Sequence, residues 1–498
     1  MMYGQEKSDL PIVATKQANK LGELGAESVE RRGGAEGNMG YSNTSRTQSR
    51  IDVSQPLDRV RQAARQRKRQ RFTAFFHLID INLLETSFFW LKKKAAAGVD
   101  GMTWSDYEHD LEQNFKDLHG RLHRQAYRAL FSRRRYIPKP DGKLRPLGIT
   151  AVEDKIVQRA LVEILNAVYY ETDFLSFSYG FRLKRSQHDA LDALAVGVTH
   201  TNVSWILDAD ISRFFDTVSH EWLIKFVEHR IGDQRVIRLI RKWLTAGAME
   251  DGKVEPTVEG TPQGAVISPL LANIYLHYVF DLWAHQWRQR HARGNIVIVR
   301  HADDIVIGFD KEHDARRFKR MMQLRLEAFG LSVHPEKTRL IEFGRFAAQN
   351  REKQGLGKPE TFNFLGFTHI SGRAKDGKFV LRRKTRRDRI RAALLAIKVE
   401  LRHKWHHSIP EQGKWLRRVV QGYFNYHAVP TNNEAMQIFR YRVTDLWRRA
   451  LRRGSQKDDT TWEKMTRLAK HWLPPAHILH PWPAARFAAK HPRQEPGA

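Results

Sequence analysis

The segment Asn295–Asp310, NIVIVRHADDIVIGFD, constrains this chain more than any other. Four β-branched residues, Ile296 to Val299, precede a pair of aspartates, and Ile305 to Ile307 follow it. Two apolar strands are therefore predicted, with Asp303 and Asp304 in the tight connection between them. An acid pair between strands is ordinarily turn punctuation, because Asp side chains cap nearby backbone groups. Strands this apolar are of the buried type, however, and acids between them sit at a rigid tip. A second strand end, in WILDADISRFFDTVSHEWL, carries Asp208 and Asp210 and then passes into a helix. Asp210 and Asp303 are 93 residues apart, so the two strand ends can lie side by side in one sheet. Carboxylates clustered in that way are hard oxygen ligands of the kind magnesium prefers. Two divalent ions about 4 Å apart activate an attacking hydroxyl and stabilise a leaving pyrophosphate. From pattern alone, turn capping and metal binding both remain open.

Charge narrows the partner. The chain has 498 residues, 41% of them hydrophobic, with 85 Lys+Arg against 55 Asp+Glu and a net charge of +30. A chain with a real core and that much positive charge points to a polyanion, with nucleic acid ahead of a membrane surface. No run approaches the ~20 apolar residues that span a bilayer. The N-terminus has no basic-then-apolar signal pattern, so a cytoplasmic, nucleic-acid-associated protein is expected. There is no cysteine, which excludes disulfides and thiolate metal sites.

Composition divides the chain as follows. Residues 1–54, rich in Gly, Ser, Thr, Gln and Asn, read as a disordered lead-in. Residues 55–135 read as a basic, then apolar, helical extension leading into RRRYIPKPDGKLRPLGI, where Pro-Asp-Gly signals a turn between extended runs. Within 136–371, Val157, Leu161, Leu165 and Val168 mark one face of a helix, GTPQGAVISPLLANIYL a turn entering another, and FNFLGF a short strand. From 371 onward Lys+Arg number 29 against 10 Asp+Glu, nineteen of the net positive charges. That shift places a domain boundary near 372, a helical basic domain over 372–455 and a basic tail over 456–498.

In order along the chain, GVDGMTW, YIPKPDGKLRPLGI, EDKIVQRALVEIL…YGFR, DADISRFFDTVSH, GTPQGAVISPLLANIYL, RHADDIVIGF, GLSVHPEKTRL and FNFLGF resemble the successive blocks of the reverse transcriptases, or maturases, encoded by bacterial group II introns. The resemblance covers about residues 60 to 490 and shows no sign of the endonuclease domain that many relatives carry. It implies an α+β fold, a right-hand polymerase with fingers and a palm built on an antiparallel sheet, followed by an α-helical thumb/maturase domain. It makes Asp210, Asp303 and Asp304 the catalytic carboxylates and metal ligands, with the Ile211 carbonyl as an extra ligand and Asp208 a structural strand residue. Phe215 stands where a bulky aromatic lies under the incoming sugar and disfavours a 2′-hydroxyl. Lys143 and Arg145, on the PDGKLRP hairpin, suit the triphosphate. Gln263 and Gly264 would touch nucleotide and template, and Lys337 the primer or triphosphate. The family usually has Tyr or another aromatic before Ala-Asp-Asp; here it is His301, read as a primer-side packing residue.

The implied cofactor is Mg2+, two ions, with Mn2+ as a substitute. The implied partners are a group II intron RNA, an RNA template with a DNA primer, and deoxynucleoside triphosphates, with no membrane and with homodimerisation left open. Interleaved aromatics and arginines in KWLRRVVQGYFNYHAVPTNN and YRVTDLWRRALRRGS fit RNA binding by the thumb. The expected activity is RNA-directed DNA polymerisation together with assistance to intron splicing. The competing readings are an RNA-binding maturase that no longer polymerises and a domesticated reverse transcriptase of DNA repair or defence.

Overall fold

The structure, a computed structural model, describes residues 43–68, 70–138, 144–250, 253–255, 257–454 and 460–490. Three sheets organise it. In the first, β1 (Ser132–Pro138) pairs antiparallel with β2 (Leu144–Ile149) and parallel with β4 (Ala248–Glu250), which continues to β5 (Lys253–Glu255). The second has the order β6–β7–β3–β8, from Ile296–His301, Asp304–Phe309, Trp205–Asp210 and Arg339–Glu342, antiparallel throughout. The third is a short β9 (Phe362–Phe364) beside the hairpin of β10 (Phe367–Arg373) and β11 (Phe379–Thr385).

The second sheet is buried on both faces, which is why its strands read as near-continuous apolar runs instead of alternating. Leu207, Ala209, Ile305, Ile307 and Phe309 pack into one core, covered by the helices Ser268–Leu276 and Glu312–Glu327. Ile206, Val299 and Val306 pack into another, covered by the helix Gln187–His200. Because side chains alternate along a strand, Asp208, Asp210 and Asp304 all lie on this second face, beyond Val306 and Ile206. The helix Val152–Val168 buries Val157, Leu161, Leu165 and Val168, as its spacing predicts.

The helices Arg387–His403, Ile409–His427, Asn433–Gly454 and Trp462–Trp472 form a separate bundle around Leu401, Leu416, Phe424, Phe439 and Trp447. Ser408 and Glu411 make a capping box at the start of the second helix, and Trp447 Nε1 donates to Gln412 Oε1 at 2.9 Å across the core.

Three expected boundaries shift. The helix Asn43–Gln66 begins inside the expected 1–54 lead-in, whose residues 1–42 lie outside the described set. Strand β10 runs straight through 371–372, and the bundle starts only at Arg387, after the hairpin. The charge shift precedes the fold boundary because the hairpin, though rich in arginine, packs Phe367 and Leu381 into the core against the second sheet. The expected 456–498 tail is partly built into the fold. Met465 and Ala469 of Trp462–Trp472 join the bundle core, and the helix Pro483–Lys490 returns to lie on Gln187–His200. There Lys490 Nζ reaches Asp189 Oδ1 at 2.8 Å, while Asp192 pairs with both Arg486 and Arg383, the latter at 3.3 Å. Among the described residues no helix is long and apolar enough to cross a membrane.

Candidate active site

The acid hairpin is tighter than the sequence indicates. His301 pairs with Asp304, so Asp304 is the first residue of β7 and the turn is Ala302–Asp303 alone. Two-residue hairpin turns of this kind need a positive φ, and Ala302 adopts +58°. A non-glycine residue held there is strained, and Arg300 is placed to hold it. Its guanidinium is fully buried and donates to the Ala302 carbonyl at 3.0 Å. It also donates to Asn273 Oδ1 at 3.0 Å, to Ser178 Oγ at 2.6 Å and to both oxygens of Asp281 at 2.7 and 2.6 Å. Asp281 closes a π-helical turn, His277–Asp281, in the helix beneath the sheet. Asn273 Nδ2 in turn donates to the Gly180 carbonyl at 2.7 Å. Gly180 lies so close to the turn that a Cβ there would come within 2.3 Å of the Ala302 nitrogen, so no other residue fits.

Asp210 faces Asp304 directly across β3 and β7. Asp208 occupies the same face one rung behind, with Arg339 at 3.9 Å. Burial pushes the Asp303 carboxyl up; Asp210 adds to the shift, and Arg145 and Lys337 oppose it. Asp304 is driven well above the usual carboxylate range by burial and then by Asp208, Asp303 and Asp210, with Arg386 opposing. Burial raises Asp208 to about 7, against the pull of Arg339. Asp208, read from sequence as a strand residue, is thus a fourth member of the carboxylate group, and its signal was the two-residue spacing from Asp210. Arg300, Asp281 and Asn273 carry no comparable sequence signal, because their contact depends on how the π-turn aims Asp281.

The other expected residues fall as follows. Lys337 Nζ binds Asp210 Oδ2 at 2.7 Å, an ion pair 127 residues long in sequence. Ile211 is buried beside Val333; the flanking bonds, Ser212 N–H to Ser332 and His334 N–H to the Asp210 carbonyl, leave its own carbonyl out of that ladder. Phe215 is half-buried against Phe214, ring centroids 5.5 Å apart, and lines a cavity of about 470 Å3 with Arg134, Gly148, Gly260 and Gln263. Gln263 Nε2 donates to Asp216 Oδ1 at 3.0 Å, and its carbonyl accepts from Gly148 N–H at 2.6 Å, joining Asp216 to strand β2. Gly264 has φ +110°, and a Cβ there would meet the Gly148 carbonyl at 2.6 Å, so the backbone it admits is that of β2. Arg145 is exposed on β2. Lys143 lies outside the described residues. His301 is shifted down by burial and stands 6.4 Å from the ring of Phe181, itself exposed with φ +55°.

Among the described residues no three His, Cys, Asp or Glu side chains converge on a common point as an ion would require, and an oxygen of Asp210 is paired with Lys337. The donor set nevertheless suits a hard divalent cation. Burial first, and then the neighbouring carboxylates, push Asp303 and Asp304 upward, and the charge already drawn to Asp210 is a cation.

Residues 137–369 match the family model described as reverse transcriptase (RNA-dependent DNA polymerase). Protein YkfC of Escherichia coli (strain K12) is 41% identical over 209 residues, 41% of this chain and 54% of that protein. Group II intron-encoded protein LtrA of Lactococcus lactis subsp. cremoris is 33% identical over 223 residues, 44% of this chain and 37% of LtrA. The putative COX1/OXI3 intron 1 protein of Saccharomyces cerevisiae is 28% identical over 250 residues, 41% of this chain and 30% of that protein. The chain thus matches about half or less of the length of these relatives.

Proposed function

We propose that residues 137–369, which match the reverse transcriptase family model, form a domain of right-hand polymerase fold, and that the chain is an RNA-directed DNA polymerase that also binds a group II intron RNA and assists its splicing. The observation that carries this reading is the register of the palm. Asp210 and Asp304 share one rung, and Asp303 stands beside them on a turn held by a buried arginine. Asp210, Asp303, Asp304 and the Ile211 carbonyl would hold two Mg2+ ions, which when bound lower the pKa of the primer hydroxyl and neutralise the leaving pyrophosphate.

The remaining roles belong to the chain's own groups. Arg145, near enough to Asp303 to oppose its shift, and Lys143 meet the triphosphate from the fingers. Phe215 underlies the sugar, where its ring would clash with a 2′-hydroxyl. Gln263 and Gly264 fix the distance between palm and β2, and so the width of the nucleotide groove. Lys337 leaves Asp210 for the primer end or the triphosphate once cations fill the site. His301, neutral because it is buried, packs beside the primer with Phe181. We place the fingers and palm over residues 132–386 and the RNA-binding thumb over 387–473.

The test is primer extension on an RNA template with deoxynucleotides and Mg2+, comparing wild type with Asp303→Ala plus Asp304→Ala. Magnesium-dependent extension lost in the variant is expected. The Lys337–Asp210 pair favours a second reading, a maturase whose palm is neutralised from within. Absence of extension by a folded, RNA-binding wild type would establish that reading instead.

A further inference from the structure

Away from the acid hairpin, a concave surface combines an apolar floor with a purely cationic rim. It lies between the thumb helices Arg387–His403 and Asn433–Gly454, a cavity of about 370 Å3. The first helix and the turn after it present Lys398, Leu401, Arg402 and Trp405; the second presents Leu446, Arg449, Ala450 and Arg453. Both sets have the spacing i, i+3, i+4, i+7, so each is one continuous stripe facing the other across the groove. Leu401 is buried at the bottom, Leu446 and Ala450 are half-buried, and the Trp405 indole stands 47% exposed as a wall.

No lining residue is acidic. Two carboxylates on the same helices are already engaged: Asp445 with Arg449 at 2.7 Å and Arg448 at 3.8 Å, and Glu400 with Lys404 at 3.0 Å. Lys398, Arg402 and Arg453 make no ion pair or hydrogen bond to another described residue, and all three are exposed. A groove that is neutral and flat-walled inside and positive at its lip matches one chemistry in particular. A planar base enters, and the phosphates on either side of it stay outside on the cations. A duplex buries its base faces and could use only the rim. An acidic peptide would also use the rim and leave the aromatic wall idle.

We propose that this groove captures a single unpaired nucleotide of an RNA strand, its base against Trp405 and its flanking phosphates on Lys398, Arg402, Arg449 and Arg453. The proposal rests on RNA being the partner of the thumb and names which element of that RNA is held.

The experiment uses the full chain and fluorescence anisotropy with three probes: a short single-stranded oligoribonucleotide, the same strand with one abasic position, and the corresponding blunt duplex. A photoreactive thiouridine at the varied position reports the contact by crosslinking and peptide mapping. Wild type is expected to prefer the intact strand to the abasic one by about five- to a hundredfold, the range one stacked base supplies. The crosslink should map to the segments around 398–405 and 446–453. Trp405→Ala should abolish the preference and Trp405→Phe retain most of it. Arg402→Gln with Arg453→Gln should preserve the preference while lowering the salt slope by about 1.4, at ~0.7 per phosphate on a single strand.

Equal binding of intact and abasic strands by wild type, preference for the duplex, or discrimination surviving in Trp405→Ala would each overturn the proposal. Displacement by polyglutamate with no base discrimination would do the same and would point to an acidic protein. Primer extension by the same wild-type preparation keeps the two readings separate. Extension without base discrimination removes only the groove, and discrimination without extension removes only the polymerase.

Discussion

The palm turn and the thumb groove both handle polyanions in this scheme, yet they are built in opposite ways. At the turn, acids are buried, crowded and shifted upward, and their backbone is held by an arginine whose side chain is wholly enclosed. In the groove, cations are exposed and mostly unpaired, and an indole is left half in water. The difference follows from what each must fix. Chemistry at a reacting atom tolerates little displacement, so its ligands rest on a fully satisfied buried network. Gripping a flexible strand needs reach and repulsion-free approach, which exposed cations supply with little ordering.

Four measurements test that contrast, and the largest effect belongs to the acid hairpin. Asp304→Asn should lower single-nucleotide incorporation by about 10³-fold or more. In metal-free buffer the same change should raise the melting temperature, because an amide removes a buried charge and, with it, the repulsion from Asp208, Asp303 and Asp210. A fall in melting temperature would show that these carboxylates are structural.

Arg300→Met should cost about 3–5 kcal/mol by urea denaturation, since it leaves Asp281 buried without its cation. Adding Asp281→Leu should recover most of that stability. Incorporation should stay low, because the Ala302 carbonyl still lacks its donor; recovery of both would reduce the pair to simple packing.

The third effect is pH dependence. Burial raises Asp154, which accepts from Tyr127 Oη and from Leu130 N–H, to about 6 against an unfolded value near 4. Between those values the folded chain holds a proton that the unfolded chain has released. The contribution of Asp154 to stability is therefore greatest below about pH 4, declines by about 3 kcal/mol up to about pH 6 and is level beyond it. Asp154→Asn should flatten this slope in chemical melts. The thumb offers the opposite sign: the hydrogen bond from the Ser408 hydroxyl holds Glu411 below its ordinary value. The smallest effect is again in the thumb, where Arg402→Gln or Arg453→Gln should move the unfolding midpoint by no more than about 0.5 kcal/mol, as expected of exposed, unpaired groups. A larger loss would mean that the groove is held together by contacts like those of the palm.

How much of this was legible in the sequence depended on range. The two strands around Asp303 and Asp304, the strand ending at Asp210 and the buried face of Val157, Leu161, Leu165 and Val168 follow from local periodicity, and local periodicity survives folding. Asp304 as a strand residue instead of a turn residue needed the pairing with His301. The Lys337–Asp210 ion pair and the Arg300–Asp281 pair could not be read, because each depends on a tertiary approach that leaves no periodic trace. Charge misplaced the boundary at 372, since a basic hairpin can still put Phe367 and Leu381 into a core. The segment after 456 reads as a basic tail, yet it carries apolar residues at helical spacing, Trp462, Met465, Ala469 and Trp472 among them. Met465, Ala469 and the ion pair of Arg486 show that this is enough to dock it.

That docking bears on how the thumb moves. Arg383, just before the bundle, and Arg486, just after it, meet on the same buried carboxylate, Asp192. A bundle leaving the palm through one connection would swing on a single hinge. One whose entrance and exit are stitched to the same palm helix is a closed handle. Swinging it away from the sheet that carries Asp210 and Asp304 would require breaking at least one of the two Asp192 pairs.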